Sequence, residues 1–169
     1  MRLLSPRFIQ APAALLVFLC LLAFSAGPAA AKVLGSHRLQ LNRGMAGVRL
    51  GDSINRMHRL LGEPKGIDYV KNEITGSLRI DIYGRLSFTS YGGSILSMRT
   101  ARRSIRTPTG IGVGTTKRRL EREFPGLSCY WHRCTIIAGG GLQTIGKRVT
   151  TFQIRRGKVR VISIGRVID

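Results

Sequence analysis

One stretch of the sequence occurs twice, and this repetition constrains the fold more than any other feature. Gly47–Leu61 (GVRLGDSINRMHRLL) returns 63 residues later as Gly110–Phe124 (GIGVGTTKRRLEREF), with glycines and apolar residues at matching positions. A second pair of segments, Ser87–Ile95 and Thr151–Val159, matches at an offset of 64. Two nearly equal offsets indicate a duplicated unit with one loop insertion. The predicted parts are a signal peptide (1–31), an N-terminal segment (32–46), repeat unit 1 (47–109) and repeat unit 2 (110–169).

Each unit is predicted to contain one helix followed by antiparallel strands. In the first unit Ile54, Met57 and Leu61 recur at helical spacing, and Pro64 follows them. After each helix the apolar period changes to two, as in half-buried strands. We therefore predict an α+β fold in which two tandem helix-plus-antiparallel-strand repeats form one continuous sheet with the helices on one face. The predicted core comprises Met57, Leu61, Ile80, Ile82, Phe88, Leu120, Phe124, Phe152, Ile154, Val159 and Val161.

Two-residue turns at Gly92-Gly93 and Arg156-Gly157 predict how the strands pair. The resulting pairs are Ser90 with Ile95, Ile154 with Val159, and Phe152 with Val161. The same alternation directs Thr89, Tyr91, Leu96 and Met98 to the outer face. For the earlier hairpin a three-residue turn, Tyr83–Arg85, is favoured, because a two-residue turn would place Asp81 against Phe88. The mixed outer face is typical of a binding surface, or else these residues lie beneath a loop or at the seam between the units.

The first 31 residues have the pattern of a secretory signal peptide. Two arginines precede an apolar run, 13–26, which is short for a membrane span. Small residues at Ala29 and Ala31 suit cleavage before Lys32, and the alternative is an uncleaved N-terminal anchor. No further transmembrane segment follows in the sequence. The protein is therefore expected to be secreted, or periplasmic and associated with the cell envelope.

The chain is strongly basic. Its 28 Lys and Arg residues against 8 acidic ones give a net charge of +20, and loss of the two arginines in the signal peptide would leave +18. Such a charge favours anionic partners, including polymers, lipids and acidic proteins. The basic residues are scattered along the chain and form no single block, which argues against a specific nucleic-acid site.

Two cysteines remain after the signal peptide, Cys129 and Cys134, and an even pair in an exported chain is typical of a disulfide. A zinc site that also used His132 would lack a fourth ligand, because the sequence contains no second Cys/His cluster. The disulfide would close a hairpin that presents Trp131 and His132. Trp131 is then either a binding anchor or a packed apolar residue.

The sequence shows no catalytic, cofactor-binding or metal-binding motif, so the protein is predicted not to be an enzyme. The eight acids include no pair in a setting that would separate their pKa values, and no histidine lies near a recognisable nucleophile. The segment 141–147 is similar to a phosphate loop, but Arg148 stands where a magnesium-binding Ser or Thr is required. We interpret this segment as a glycine-rich loop.

The tandem pattern of Gly-apolar-x-apolar-Gly-x-[Ser/Thr], a helix and antiparallel strands behind a signal peptide resembles the beta-lactamase inhibitory protein fold and the related outer-membrane-lipoprotein repeat domains. The residues that carry the resemblance are Gly47, Val48, Leu50, Gly51 and Ser53, with Gly110, Ile111, Val113, Gly114 and Thr116. The chain is also similar to uncharacterised exported bacterial proteins with this layout and a cysteine pair after the second helix. The resemblance implies a saddle-shaped antiparallel sheet with helices on one side and a surface that grips a partner on the other.

Together these features predict an exported, non-catalytic protein-binding module that acts on an unknown partner at the cell envelope or outside the cell. The candidate partner-binding residues are Tyr83, Thr89, Tyr91, Leu96, Met98, Trp131, His132, Arg155 and Arg160. One alternative is a nonspecific binder of anionic polymer, lipid or nucleic acid through the +18 charge. A second alternative is an enzyme inhibitor of the beta-lactamase inhibitory protein type.

Overall fold

A computed structural model describes residues 37–72, 76–139 and 145–167, and strand is their main secondary structure. The strands are β1 (Leu39–Gln40), β2 (Gly44–Met45), β3 (Val48–Arg49), β4 (Gly66–Asn72), β5 (Gly76–Ile82), β6 (Leu86–Tyr91), β7 (Ser94–Thr100), β8 (Ser128–Tyr130), β9 (Arg133–Ile137), β10 (Arg148–Arg155) and β11 (Lys158–Arg166). The described residues also form two short helices, α1 (Ile54–Leu61) and α2 (Lys117–Glu123). The predicted signal peptide, 1–31, lies outside the described residues, as does most of the glycine-rich segment 141–147.

The described strands form two antiparallel sheets. β1, β2 and β3 make a three-stranded sheet, and the other eight strands make a larger sheet in the order β4-β5-β6-β7-β11-β10-β9-β8. The predicted α+β fold, two helix-plus-strand repeats sharing one continuous sheet, is therefore wrong. The structure is mostly β, its helices have only 8 and 7 residues, and the N-terminal strands build a separate sheet.

The small sheet covers one side of the core. Leu39, Met45 and Val48 are fully buried there. The Leu39 N–H donates to the carbonyl oxygen of Arg106 at 2.7 Å. Gly44 permits the close approach of β2 to β3, because a Cβ at that position would lie 2.1 Å from the Val48 carbonyl oxygen. Strands of two residues are too short to show a period of two, so sequence reasoning did not predict this sheet.

Each helix begins at a hydroxyl cap and buries one apolar side chain completely. Ser53 and Thr116 each accept a hydrogen bond from the backbone N–H three residues later, at 3.2 and 3.3 Å. Met57 in α1 and Leu120 in α2 are fully buried, as the helical spacing predicted.

The backbone just before each helix is held by the same pair of hydrogen bonds. The N–H groups of Gly51 and Gly114 donate to the carbonyl oxygens of Ile95 and Val159, both at 2.8 Å. Ile95 and Val159 donate back to the residue after each glycine, both at 2.9 Å. Both glycines have a left-handed φ, of 87° and 94°, which residues with a Cβ rarely adopt. The matched segments therefore dock their helices onto the large sheet in the same way.

In the hairpin β10–β11 a β-bulge shifts the predicted register. The observed pairs are Ile154 with Val159, Gln153 with Val161, and Phe152 with Ile162. Arg160 is the extra residue of the bulge. Ile162 thereby enters the core, and the predicted core position of Val161 is wrong, because Val161 is only half-buried on the opposite face.

The hairpin β6–β7 carries a bulge at the equivalent position. The observed pairs are Ser90 with Ile95, Thr89 with Ser97, and Phe88 with Met98. Leu96 is the extra residue, so the side chains that follow it change face. Met98 consequently points into the core with 1% of its surface exposed, and its predicted place on the outer face is wrong.

The hairpin β5–β6 has a two-residue turn, so the predicted three-residue turn is wrong. Asp81 pairs with Phe88 and is fully buried. Ile80 and Ile82 point to the other face and are half-buried, so their predicted core positions are wrong. A buried carboxylate is tolerated here because the Arg79 guanidinium donates hydrogen bonds to it.

The core combines side chains from both sheets and both helices. The largest fully buried side chains are Leu39, Met45, Met57, Leu86, Phe88, Ile95, Met98, Ile105, Ile111, Leu120, Phe152 and Ile162. The predicted core residues Ile154 and Val159 are also buried, whereas Leu61 and Phe124 are partly buried at its edge. Phe124 stacks on Phe152 with ring centroids 6.3 Å apart. None of the described helices is long and apolar enough to cross a membrane.

Candidate binding groove

An open groove of about 780 Å³ lies at one end of the large sheet, between the tips of two hairpins. The β8–β9 hairpin contributes Ser128, Tyr130, Trp131, His132, Arg133 and Thr135 to its lining. The β10–β11 hairpin contributes Gln153, Ile154, Arg155, Arg156, Arg160 and Val161. We name this site the Trp131 groove. It opens on the outer face of the sheet, since Gln153 and Thr135 alternate along their strands with the buried Phe152 and Cys134.

A disulfide and a backbone hydrogen bond hold the β8–β9 hairpin in place. Cys129 and Cys134 are directly paired across the strands and joined by a disulfide, which confirms the predicted bond. Cys134 is fully buried, so the disulfide attaches the hairpin to the core. At the tip, the Ile154 N–H donates to the His132 carbonyl oxygen at 2.6 Å. The turn that holds Trp131 and His132 therefore has little freedom to move away from β10.

The tip of this hairpin presents two large aromatic side chains to solvent. Trp131 is 78% exposed and Tyr130 is 77% exposed, with their ring centroids 6.2 Å apart. Trp131 has a φ of 51°, a left-handed conformation that costs a residue with a Cβ on the order of 1–2 kcal/mol. Exposed aromatic rings held on a constrained turn are typical of binding anchors.

Opposite this tip, the β10–β11 turn presents arginines. Arg156 and Gly157 occupy the two turn positions with φ values of 52° and 68°, as expected for a hairpin turn with positive φ at both positions. Arg155 and Arg156 are exposed. The bulge described above adds Arg160 to the same side of the groove.

Among the described residues, the groove is lined by arginines and by no carboxylate. The four arginines are Arg133, Arg155, Arg156 and Arg160. Among residues 37–72, 76–139 and 145–167, the ion pairs join side chains of the two helices, of β5 and of the segments next to α1, and none of them includes a groove arginine. The four guanidinium groups are therefore available to an external anion, and the planar arginine fork suits carboxylates and phosphates.

The groove unites four of the predicted partner-binding residues: Trp131, His132, Arg155 and Arg160. It also includes Tyr130, Arg133 and Arg156, which sequence reasoning missed. Tyr130 and Arg133 lie inside the predicted disulfide loop, and Arg156 lies in the predicted turn. Loop membership is thus the sequence signal that could have identified all three.

Thr89, Tyr91 and Leu96 lie at the opposite end of the large sheet. β7 and β11 pair antiparallel, with Thr100 opposite Ile162, so the tip of β6–β7 points away from the tip of β10–β11. Tyr91 is 51% exposed at that far end. These three residues therefore do not belong to the Trp131 groove.

Tyr83 and Met98 are buried, so their prediction as partner-binding residues is wrong. The Tyr83 hydroxyl donates to the Gly62 carbonyl oxygen at 3.0 Å, and its ring packs edge-on against Phe88. Burial raises the pKa of Tyr83 to about 12, and the nearby Asp81 carboxylate acts in the same direction. Both side chains belong to the core.

A second polar cluster surrounds the Asp81 carboxylate beneath α1. Arg79 Nη2 donates to Asp81 Oδ1 at 2.7 Å, and His58 Nε2 lies 3.2 Å from the same oxygen. His58 Nδ1 also lies 3.5 Å from Glu63 Oε2. The hydrogen bond from Arg79 to Asp81 raises the pKa of the Arg79 guanidinium above its usual value. These contacts satisfy a buried charge, and we assign the cluster a structural role.

No family model matches this sequence, and no curated protein matches it at a significant level. Among solved structures, the chain is similar to an extracellular protein containing a SCP domain from Bacillus anthracis str. Ames. That likeness has a TM-score of 0.44 and 11% sequence identity, and it covers 69% of this chain and 44% of the other. The chain thus spans less than half the length of that protein, and a likeness of this size establishes neither a shared fold nor a shared function.

Proposed function

We propose that the protein is an exported, non-catalytic binding module that holds a partner protein in the Trp131 groove at the cell envelope. The observation that carries the proposal is the combination of two exposed aromatic side chains, Tyr130 and Trp131, with four arginines that have no ion pair among the described residues. Trp, Tyr and Arg are the side chains that contribute most binding energy at protein interfaces.

Rigidity of the site supports the same function. The Cys129–Cys134 disulfide and the hydrogen bond from Ile154 to His132 hold the aromatic tip before any partner arrives. A site that is already ordered loses less conformational entropy on binding, so more of the contact energy appears as affinity.

Export is the second part of the proposal. The segment 1–31 has a basic start, an apolar run and small residues before Lys32, as secretory signals do. The Cys129–Cys134 disulfide is a bond that persists in oxidising compartments. The protein would therefore meet its partner in the periplasm, on the cell surface or outside the cell.

Site-specific crosslinking tests this function. A photo-crosslinking residue is placed at position 132, inside the groove, and in a matched variant at position 91, at the far end of the sheet. Each variant is irradiated in envelope extract at low and moderate salt. We expect a protein adduct from position 132 that persists at moderate salt, and no such adduct from position 91. Equal adducts from both positions, or none from position 132, would contradict the proposal.

An anionic polymer is the second candidate partner, and the carboxylate-free lining of the groove favours it. Binding of this kind releases counterions, so its affinity falls steeply between low and moderate salt. Binding anchored by buried aromatic side chains depends less on salt. Salt dependence of the complex formed at position 132 therefore distinguishes the two candidates.

A further inference from the structure

We propose that the occupant of the Trp131 groove is a short, extended acidic segment of the partner polypeptide, with an apolar side chain beside its carboxylates. This inference rests on the proposed function and adds the chemistry of the partner. Three features of the groove carry it: the placement of the arginines, the apolar surface beside them, and the neutral surface beyond them.

The arginines stand on both sides of strand β10. Gln153 on β10 pairs with Arg133 on β9 and with Val161 on β11, and Arg160 is the bulged neighbour of Val161. Arg133 and Arg160 are therefore about 10 Å apart at the backbone, which is two strand spacings. A peptide in the extended polyproline II conformation has three residues per turn, so side chains three residues apart lie on the same side, about 9 Å from each other. Two carboxylates three residues apart would each reach an arginine and receive the paired hydrogen bonds of a guanidinium.

Apolar surface lies beside these arginines, because Tyr130 pairs with Arg133 from the next strand and Val161 follows Arg160 on β11. The exposed rings of Tyr130 and Trp131 stand over one side of the groove, and the half-buried Val161 forms part of its floor. A purely charged ligand would leave these surfaces in contact with water. A segment that places Leu, Phe or a similar side chain next to one of its carboxylates would cover them, and burial of apolar surface favours binding.

In the part of the chain that the structure describes, the sheet beyond the groove offers no basic track for a long polyanion. The neighbouring row across the outer face is Ser87, Arg99, Ser163, Thr151, Thr135 and Ser128, in which directly paired residues follow one another from β6 to β8. Five of these six side chains are neutral hydroxyls. Extended polyanions are held by basic grooves that follow their backbone. The short basic groove beside a neutral row therefore suits a short acidic segment.

Labelled peptides test the inference, and the chain supplies its own reporter because Trp131 is its one tryptophan. The probe is a short peptide with two glutamates three residues apart and a leucine next to one of them. One control peptide has glutamine for both glutamates, and another has serine for the leucine. An oligothymidylate and a heparin fragment of equal charge represent anionic polymers. We expect the probe to shift Trp131 emission to the blue and both control peptides to bind at least about fivefold more weakly.

Matched variants locate the binding. Arg133→Ala and Arg160→Ala should each weaken probe binding, measured by peptide anisotropy, at least about fivefold, which corresponds to about 1 kcal/mol of binding free energy. Arg148→Ala, at the exposed other end of β10, should leave affinity unchanged, as should Tyr91→Ala. Circular dichroism shows whether each variant is folded.

The outcomes separate this inference from the function on which it rests. If the glutamine control binds as well as the probe, or Arg148→Ala weakens binding as much as Arg133→Ala, the acidic-segment inference is wrong. If a protein still crosslinks at position 132 in that case, the protein-binding function stands. If the polymers bind more tightly than the probe at moderate salt and no protein crosslinks, both proposals are overturned and a polyanion is the ligand.

Discussion

Asp81 is fully buried, and its carboxylate accepts three hydrogen bonds from the guanidinium of Arg79, two residues earlier on β5. His58 Nε2 lies 3.2 Å from the same carboxylate and links α1 to the large sheet. An unpaired carboxylate in this position would be strongly unfavourable. The Arg79 pairing therefore allows β5 to turn Asp81 toward the core.

Removal of Arg79 should be costly for this reason. We expect Arg79→Ala to lower the free energy of unfolding by about 3 to 5 kcal/mol, because Asp81 would remain buried without its main partner. Urea unfolding measures the difference. Arg99→Ala, an exposed arginine on β7, is the control and should change stability by less than about 0.5 kcal/mol. Equal effects of the two substitutions would show that Asp81 is not buried as described.

Tyr83 should make stability depend on pH in the alkaline range. Its folded-state pKa of about 12 lies above the ordinary value of 10.0, so the folded state holds this proton more tightly than the unfolded state. The stability contributed below pH 10 is then lost as the pH rises toward about 12. Tyr83→Phe should remove this loss, whereas Tyr91→Phe, at an exposed site, should retain it. Phenolate absorbance should show the deprotonation of Tyr83 near pH 12 in the Tyr91→Phe variant. The Tyr83→Phe variant should lack this step.

The features that sequence reasoning predicted correctly depend on residues close together in the chain. The buried helical positions of Met57 and Leu120, the turn at Arg156 and the disulfide all arise from neighbours within a few positions. The errors concern positions where the local sequence fits two different strand registers equally well. Val161 and Ile162 are both apolar β-branched residues, so a period of two fits either of them, and only the packed bulge selects Ile162 for the core.

In the candidate site, too, single residues were predictable from their neighbours in the chain, whereas their arrangement depends on distant contacts. Trp131 and Arg155 were identified because each lies beside a recognisable turn. Their meeting in one groove was not predictable, since it depends on the β9–β10 pairing. The separation of Tyr91 from them depends on the antiparallel pairing of β7 with β11, a contact between distant parts of the chain.

Paired substitutions test the bulge in β10–β11. Ile162→Ala should lower the free energy of unfolding by about 2 to 5 kcal/mol, because it leaves a cavity in the core. Val161→Ala, one residue earlier and half-buried on the outer face, should cost less than about 1 kcal/mol. Chemical denaturation of both variants gives the comparison. The reverse order of costs would mean that Val161 faces Phe152 and that the hairpin has no bulge.

Loss of the disulfide should loosen the aromatic tip more than it destabilises the fold. The bond closes a loop between Cys129 and Cys134 with a sequence separation of 5, so the chain-entropy model gives about 2 kcal/mol for its removal. We expect Cys129→Ala with Cys134→Ala to lower the free energy of unfolding by that amount. In the protein that retains both cysteines, intact-mass analysis with alkylation should find no free thiol at these two positions before reduction, and two after it.

Fluorescence anisotropy of Trp131 measures the local effect of the same double substitution. The hydrogen bond from Ile154 to His132 remains in the variant, but the strand ends are no longer held by the buried Cys134 sulfur. Anisotropy should therefore decay faster, and binding at the groove should weaken, because a tip that must be ordered on binding loses more entropy. Thr89→Ala, at the opposite end of the large sheet, is the control and should change neither quantity. Unchanged anisotropy in the double variant would show that backbone pairing alone holds Trp131 in place, and that the disulfide does not preorganise the groove.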